Sequence, residues 1–168
     1  SASGTATLTA SAGAITDANA AANNITAASL VASAASGIAT NADRLETTVS
    51  NLEASGGTGG VFIENAGGLT IGGVTGMNGV SATGSDIKIS AASPLTVNEA
   101  VTNTGGGNIV LAAKGNTATD DLTVNANVSA TGGNGSVTLG AGDSIVLASG
   151  TTVSTQGTGA IKIVARED

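Results

Sequence analysis

The sequence predicts an all-β protein, a right-handed parallel β-helix (β-solenoid) of about six to seven coils with three short strands in each coil. Three observations lead to this fold class. Short apolar triads recur along the chain at a regular interval, glycine supplies 26 of the 168 residues, and one phenylalanine is the only aromatic residue. A chain of this composition has to build its core from many short strands separated by frequent turns.

The triads fall into three sets that follow one another along the chain. The first set comprises residues 61–63, 87–89, 109–111, 137–139 and 161–163, with a period between 22 and 28 residues. The second set comprises residues 69–71, 95–97, 122–124 and 145–147. The third set, in which Val and a hydroxyl residue come before Gly, comprises residues 80–84, 101–105, 128–132 and 153–157.

Each triad shows the alternation that is expected of a half-buried strand. Its outer residues are apolar, and its middle residue is often polar, as at Thr70 and Lys88. Three residues span only about 10 Å, so a single hairpin built from them would be unstable. Stacking each triad on its equivalent in the next coil pairs the backbones in parallel and aligns the apolar side chains. One interior ladder is expected to contain Ile63, Ile89, Leu111, Leu139 and Ile163.

The stretches between the triads predict the corners of the coils. Gly and Asn are frequent there, as in residues 105–107 and in the pair Asn134 and Gly135. These residue types adopt the positive φ that tight corners need. Coil length also varies in these stretches, as expected if corners absorb insertions.

We interpret residues 1–168 as one solenoid segment, with less regular, alanine-rich coils over 1–55 and regular coils over 56–168. Ala is the best helix former, so a helix over residues 18–35 is the competing interpretation of the first part. A strand is favoured because this stretch lacks charged pairs four residues apart and contains Asn and Ser where a helix favours Glu and Lys. Strand-like sequences with Ala at core positions occur at residues 6–8, 14–15, 25–27 and 30–32.

Composition and charge exclude several classes of function. The absence of His and Cys removes zinc sites, haem–His ligation, disulfide scaffolds and Ser-His-Asp or Cys-His catalysis. The net charge is −7 and no basic stripe with aromatic residues exists, so nucleic acid is not an expected partner. The longest apolar run, residues 109–113, is too short to span a membrane. A mean hydropathy of +0.29 indicates a folded chain rather than a disordered one.

Isolated acidic residues are candidates for a calcium site. Asp86 and Asp121 come directly before apolar triads, and residues 140–143 read Gly-Ala-Gly-Asp, which is half of a calcium-binding nonapeptide. Calcium takes about six to eight oxygen ligands, and this motif occurs once rather than in tandem. We therefore expect these carboxylates, Asp143 included, to cap corners of the coils, and we predict no metal or cofactor site.

The adjacent pair Asp120 and Asp121 is the one candidate for carboxylate catalysis, as in β-helix enzymes that act on polysaccharides. Neighbouring residues of a strand point to opposite faces, so the two carboxylates are not expected to converge. We predict no catalytic residue and no enzyme activity. Lys88 and Lys162 share the middle position of first-set triads, and both are expected to point to solvent.

Two further patterns have ordinary explanations. Alternate threonines occur in ice-binding solenoids, but the pairs in this chain do not share a common phase of the repeat, so exposed strand threonine is the expected case. These alternating threonines are Thr5/Thr7/Thr9, Thr102/Thr104 and Thr117/Thr119. Asn-X-Ser/Thr sequences begin at Asn24, Asn127 and Asn134, and chance explains them in a chain rich in Asn and Thr.

Three segments resemble the repeats of a known family. Residues 44–52, 60–65 and 69–74 are similar to the repeats of filamentous-haemagglutinin-like adhesins, which are very large bacterial surface proteins. The resemblance covers about residues 4–164 and rests on repeat style and composition. It implies a right-handed parallel β-helix that forms a secreted or surface-anchored, non-enzymatic shaft. The Asn-Pro motifs of the family's secretion domain are missing, since the single Pro94 does not follow Asn, so the chain resembles an interior piece.

Two functions are expected from these observations. The first is a structural shaft or filament segment of a secreted or cell-surface bacterial protein, serving adhesion or an extracellular matrix. The second is a module that binds a glycan or a host protein through one solenoid face, which should then carry an aligned polar or aromatic patch. Strand sequences at residues 5–8 and 161–163 lie near the two ends without capping segments. We therefore expect continuation into further coils or end-to-end stacking of identical chains.

Overall fold

A computed structural model describes residues 3–74, 77–115 and 117–166, in which the chain forms eighteen β-strands and one 3₁₀ helix, Gly57–Gly59. The strands are β1 (Thr5–Ala10), β2 (Ile25–Thr26), β3 (Ser29–Ala34), β4 (Leu45–Thr48), β5 (Asn51–Ser55), β6 (Val61–Asn65), β7 (Leu69–Ile71), β8 (Val80–Ala82), β9 (Ile87–Ala91), β10 (Leu95–Val97), β11 (Val101–Asn103), β12 (Ile109–Ala113), β13 (Leu122–Val124), β14 (Val128–Ala130), β15 (Val137–Ala141), β16 (Ile145–Leu147), β17 (Val153–Thr155) and β18 (Ile161–Ala165).

The pairings between these strands are parallel, and they form two sheets. A seven-stranded sheet, which we call the first face, runs in the order β2-β4-β6-β9-β12-β15-β18. The eleven-stranded sheet contains two columns, the second face (β7, β10, β13, β16) and the third face (β8, β11, β14, β17). Each face takes one strand from each successive coil. The chain is thus a parallel β-solenoid of about seven turns, and the predicted all-β fold class is confirmed.

The predicted interior ladder is present in the first face. The register pairs Ile63 with Ile89, Ile89 with Leu111, Leu111 with Leu139, and Leu139 with Ile163. The first four side chains are buried, whereas Ile163 in the last coil is 45% exposed. The position of every ladder residue therefore follows from the alternation of its own triad.

The second and third faces repeat this arrangement. On each of these faces, the first residues of the strands form one ladder. The ladder consists of Leu69, Leu95, Leu122 and Ile145 on the second face and of Val80, Val101, Val128 and Val153 on the third. Each buried CH₂ group contributes about 0.8 kcal/mol, so stability is distributed over many small side chains. The coil of three strands that the triads predict extends from β6 to β17.

In the first coils, one long strand replaces two of the short strands that are found in later coils. β1 and β3 are single strands of six residues that occupy the place of both a second-face and a third-face strand. β5 lies next to β3 and pairs on its other side with both β7 and β8, Leu52 with Ile71 and Ala54 with Val80. The sheet therefore forks between β5 and the next coil, where the described residues 72–74 and 77–79, here called the fork segment, lie between β7 and β8.

Two glutamates, one in the coil on each side, hold the fork segment. Glu53 is 1% exposed, although it is a charged residue in the middle of β5. Glu99 lies between β10 and β11 in the following coil. Four backbone N–H groups donate to these carboxylates: Val74 and Met77 to Glu53, at 2.9 and 3.1 Å, and Gly73 and Gly79 to Glu99, at 3.0 and 2.7 Å. Hydrogen bonds to an ionised acceptor are stronger than neutral ones, so the segment is firmly anchored.

Residues 18–35 contain no α-helix, which confirms the strand prediction for this alanine-rich stretch. In β3 the alternate residues Leu30, Ala32 and Ala34 are buried against the core. Burial of every second residue is the pattern of a β-strand and not of an α-helix. Packing on the neighbouring coils therefore outweighs the helix propensity of Ala.

The first face is interrupted in the first coils. Ile15 and Ile38 form isolated parallel bridges, Ile15 to Ile38 and Ile38 to the first residue of β6. After each bridge the chain leaves the face, over residues 16–24 and 39–44, and re-enters it at β2 and β4. These two insertions explain the weaker sequence periodicity of the first 55 residues, since they divide a triad that is continuous in later coils.

Candidate functional site

Asp86 and Asp121, which the sequence analysis singled out, lie at corners and hydrogen-bond to the next coil. Asp86 Oδ1 accepts a hydrogen bond from the Asn108 N–H at 2.9 Å, and Asp121 Oδ1 accepts one from the Ser144 N–H at 3.1 Å. Burial alone would raise the pKa of Asp86, but the Asn108 donors and the Lys88 ammonium, 3.2 Å away, hold this pKa below its ordinary value of 3.8. Both carboxylates thus join coils.

The corner before the first face carries a ladder of such contacts. Asp86 accepts from the backbone of Asn108, Asn108 Oδ1 from the Ser136 N–H at 3.0 Å, and Ser136 Oγ from the Ala160 N–H at 3.1 Å. This ladder was not predicted from the sequence because its members differ in residue type. The available signal was an Asp, Asn or Ser directly before three of the first-set triads, since each of these side chains offers an acceptor oxygen.

The remaining acidic candidates accept hydrogen bonds from threonine and serine residues. Asp120 is buried and accepts hydrogen bonds from the N–H and hydroxyl groups of Thr117, at 2.6 and 3.0 Å. Its neighbour Asp121 caps Ser144, and Asp143 Oδ2 accepts from the Ser144 hydroxyl at 3.2 Å. In the part of the chain that the structure describes, no group of three or more Asp or Glu side chains is arranged to hold a metal ion.

A threonine column that the sequence analysis did not identify lies on the second face. The register aligns Thr70 with Thr96 and Thr96 with Thr123, the middle residues of three successive triads. The next member is Val146, so the hydroxyl column ends there. The three threonines belong to different strands, so the column forms between coils and not within a strand.

The asparagines of the three Asn-X-Ser/Thr sequences serve contacts between coils. Each side-chain oxygen accepts a hydrogen bond from a backbone N–H group: Asn24 from Glu46 at 2.8 Å, Asn127 from Thr152 at 2.8 Å, and Asn134 from Thr158 at 3.0 Å. These amides therefore have the same role as the aspartates at other corners.

Residues 39–44 form an insertion that two hydrogen bonds fasten to β9: Lys88 Nζ to Asn41 Oδ1 at 3.1 Å and Arg44 Nη1 to Ser90 Oγ at 3.0 Å. Phe62, the register partner of Lys88 in β6, is 6% exposed. The single aromatic ring of the chain is therefore buried.

A cavity of about 550 Å³ lies beside the insertion of residues 16–24 on the same face. Glu46 and Glu64, which are register partners in β4 and β6, line it together with Lys114. Lys114 Nζ donates to Glu64 Oε1 at 2.6 Å, whereas Glu46 Oε2 is buried without a donor among the described residues. Burial, followed by the neighbouring Asp17 carboxylate, raises the pKa of Glu46 above its ordinary value of 4.5.

The last coil carries the large apolar side chains that are exposed in the described part of the chain. Their exposed fractions range from 36% to 53%, and they are Val146, Leu147, Ile161, Ile163 and Val164. Leu147 and Ile163 continue interior ladders by their register with Val124 and Leu139, whereas Val146 points outward. The interior ladders are therefore exposed to solvent at this coil.

The strand pairing defines the class of the protein as a parallel β-solenoid repeat protein. No protein-family model matches the chain, and neither the curated proteins nor the solved structures compared with it contain a match. Among the described residues, no helix is long and apolar enough to cross a membrane. The class therefore rests on the strand register, and membership of the adhesin family stays a prediction.

Proposed function

We propose that this chain is a structural, non-catalytic shaft element, which lengthens when further parallel coils stack on its apolar last coil. The observation that carries the proposal is the free edge of that coil. β16, β17 and β18 each have a parallel neighbour on one side only, and the large exposed apolar side chains lie there. Unpaired strand edges are templates for pairing, and head-to-tail contacts between identical chains propagate rather than close.

The same architecture suits a shaft mechanically. Hydrogen bonds between strands run parallel to the solenoid axis, and each coil adds about 5 Å of length. Stability comes from contacts between neighbouring coils, so a shaft can be lengthened without a larger core. We further propose a location outside the cell, in adhesion or an extracellular matrix, because the repeats at residues 44–52, 60–65 and 69–74 resemble those of filamentous-haemagglutinin-like adhesins.

Light scattering of the 168-residue chain over a concentration series tests the proposal. We expect the mean mass to rise with concentration and electron microscopy to show unbranched threads. Ile163→Lys places an ammonium group on the interior ladder of the last coil, so it should reduce the mass. Val146→Lys adds the same charge at an outward position of that coil and should leave association unchanged.

Circular dichroism of both variants has to show the parent β-sheet signal, so that the comparison concerns stacking rather than folding. A chain that stays monomeric over the whole concentration range would contradict the proposal. An equal loss of association in the two variants would also contradict it, because the effect would then come from charge alone.

A further inference from the structure

The first and last coils of the solenoid divide their strands in opposite ways. The last coil has two separate strands, β16 and β17, in the eleven-stranded sheet and one continuous strand, β18, in the first face. In the first coil β1 is continuous, whereas the first face consists of the Ile15 bridge and β2, with residues 16–24 between them. A second copy stacked on the last coil therefore brings a continuous strand against a divided one in both sheets.

Both kinds of junction already exist inside the chain. In the eleven-stranded sheet, the continuous β5 pairs with the separate strands β7 and β8, and Glu53 is the residue of β5 between the two pairings. In the first face, the continuous β6 pairs with the Ile38 bridge and with β4, which residues 39–44 separate. The solenoid thus accommodates, at its own coils, the two junctions that a contact between copies requires.

The register of the coils identifies the residues that would meet. Three interior columns run through the strands from the first coil to the last, and each one has an apolar residue at both ends. The column ends are Ala6 and Leu147, Leu8 and Val153, and Ile15 and Ile161. Stacking in register joins the last residue of each column to the first residue of the same column in the next copy.

The ends of these columns lack the cover that their other members have. Among the described residues, β1 pairs with β3 alone and β18 with β15 alone. Leu147 and Ile161 are 44% and 47% exposed, and the first-coil members are half-buried. Every column residue between the two ends is 0% exposed. A copy in register supplies the missing neighbour, and burial of the apolar side chains favours the contact.

We propose that a second copy of this chain binds the last coil through its own first coil, in the register of the solenoid. β1 of the second copy pairs with both β16 and β17, and its Ile15 bridge and β2 pair with β18. Residues 148–152 then form a fork opposite Thr7, as the fork segment does opposite Glu53. This inference rests on the proposed function and adds the partner edge and the register. The contact is head to tail, so it repeats in an open filament.

Disulfide trapping tests the register, and the chain has no cysteine that would interfere. Thr9 and Ser154 end one outward column, so the register places their Cα atoms about 5 Å apart between copies, within the range of a disulfide. The single variants Thr9→Cys and Ser154→Cys are mixed and oxidised. We expect a covalent heterodimer, and peptide mass spectrometry should locate its bond between positions 9 and 154.

Thr5→Cys is the matched control. It makes the same substitution at another exposed threonine of β1, four residues from Thr9 and therefore about 13 Å away. Mixed with Ser154→Cys, it should form the heterodimer at least about tenfold more slowly than Thr9→Cys does, because its effective concentration at the contact is lower. Circular dichroism of each variant has to show the parent β-sheet signal.

Light scattering of the same mixtures before oxidation separates this inference from the shaft function. Association without the faster bond between positions 9 and 154 would overturn the register and leave the shaft function in place. Equal trapping of Thr5→Cys and Thr9→Cys would overturn it because the contact would be unspecific, and a predominant bond between two Ser154→Cys chains would show tail-to-tail contact instead. Chains that stay monomeric would contradict both proposals.

Discussion

At the scale of single residues, buried polar side chains join the coils. Asn65 is 2% exposed; its Oδ1 accepts hydrogen bonds from the Thr47 hydroxyl and the Val49 N–H, both at 2.9 Å, and its Nδ2 donates to the Val49 carbonyl. Asn103 is also buried, and its Nδ2 donates to the Ser85 carbonyl at 2.6 Å. An amide whose two ends are both satisfied can be buried without the penalty of an unpaired polar group.

At the same scale, the raised pKa of Glu46 leads us to expect that the stability of the fold depends on pH. Its pKa is raised from 4.5 in the fold, first by burial and then by Asp17, so the folded chain holds this proton more tightly than the unfolded chain does. The resulting stabilisation is complete below the unfolded pKa of 4.5 and is lost as the pH rises through the raised folded pKa. Glu46→Gln keeps a neutral side chain at every pH.

Urea denaturation at two pH values checks this prediction. The Glu46→Gln variant should be more stable than the parent at about pH 7 and should match it at about pH 4. Glu64→Gln is the control, because it removes a carboxylate that pairs with Lys114 and should not stabilise the chain at neutral pH. A Glu46→Gln variant without any gain at neutral pH would contradict the assignment.

At the scale of elements, corners and inserted segments decide how each coil is divided. The fork segment turns back into β8 at Gly79, which has a φ of +67°, and a Cβ there would clash with the Ala100 carbonyl oxygen. Only glycine fits this combination of conformation and contact. The segment therefore depends on a glycine at its end and on the carboxylates of Glu53 and Glu99 on its two sides.

Replacing Glu53 tests the importance of the fork. Glu53→Ala leaves the N–H groups of Val74 and Met77 without their acceptor in a partly buried place. A fully buried unsatisfied group costs about 1–3 kcal/mol and a partly buried one less, so the free energy of unfolding should fall by about 1–3 kcal/mol for the pair. Chemical denaturation measures this change.

Glu64→Ala is the matched surface control for that experiment. The Glu64 side chain is 42% exposed, and a surface ion pair contributes less than about 1 kcal/mol. If the two glutamate variants lose the same small amount of stability, Glu53 does not anchor the fork segment.

At the scale of the whole molecule, the chain is a stack in which each coil contacts its neighbours. From β6 onward every coil supplies one strand to each face, and register partners are equivalent residues of the triads. Such a stack behaves as a sum of repeats and interfaces rather than as one indivisible core. The length of the solenoid can therefore change by whole coils.

Removal of one coil tests this property. Deleting residues 109–136 joins Asn108, which directly precedes β12, to Val137, the first residue of β15. Val137 is the register partner of Ile109, so it takes the place of the residue that followed Asn108. We expect a folded β-sheet spectrum, a solenoid shorter by about 5 Å in small-angle scattering, and a lower denaturant m-value because less surface is exposed on unfolding.

A deletion out of phase is the control. Removing residues 109–127 joins Asn108 to Val128 and places a third-face strand where a first-face strand belongs. This chain should lose its cooperative unfolding transition. If it folds as well as the in-phase deletion, the coil is not the unit of the structure.

The sequence alone determined the local strands and the interior ladders. Large aliphatic residues alternate with polar ones in each triad, so the buried face of Ile89 or Leu111 can be read from its own neighbours. The helix alternative over residues 18–35 could be rejected for the same reason, since burial in β3 follows a period of two.

Only the tertiary structure decided the fork at β5 and the burial of Glu53 and Phe62. Arg44 reaches Ser90, and Lys114 reaches Glu64, across about two coils of intervening chain. Such contacts depend on how many residues each coil inserts at its corners. No local pattern encodes that number, because a corner of any length that closes the coil preserves the same ladders.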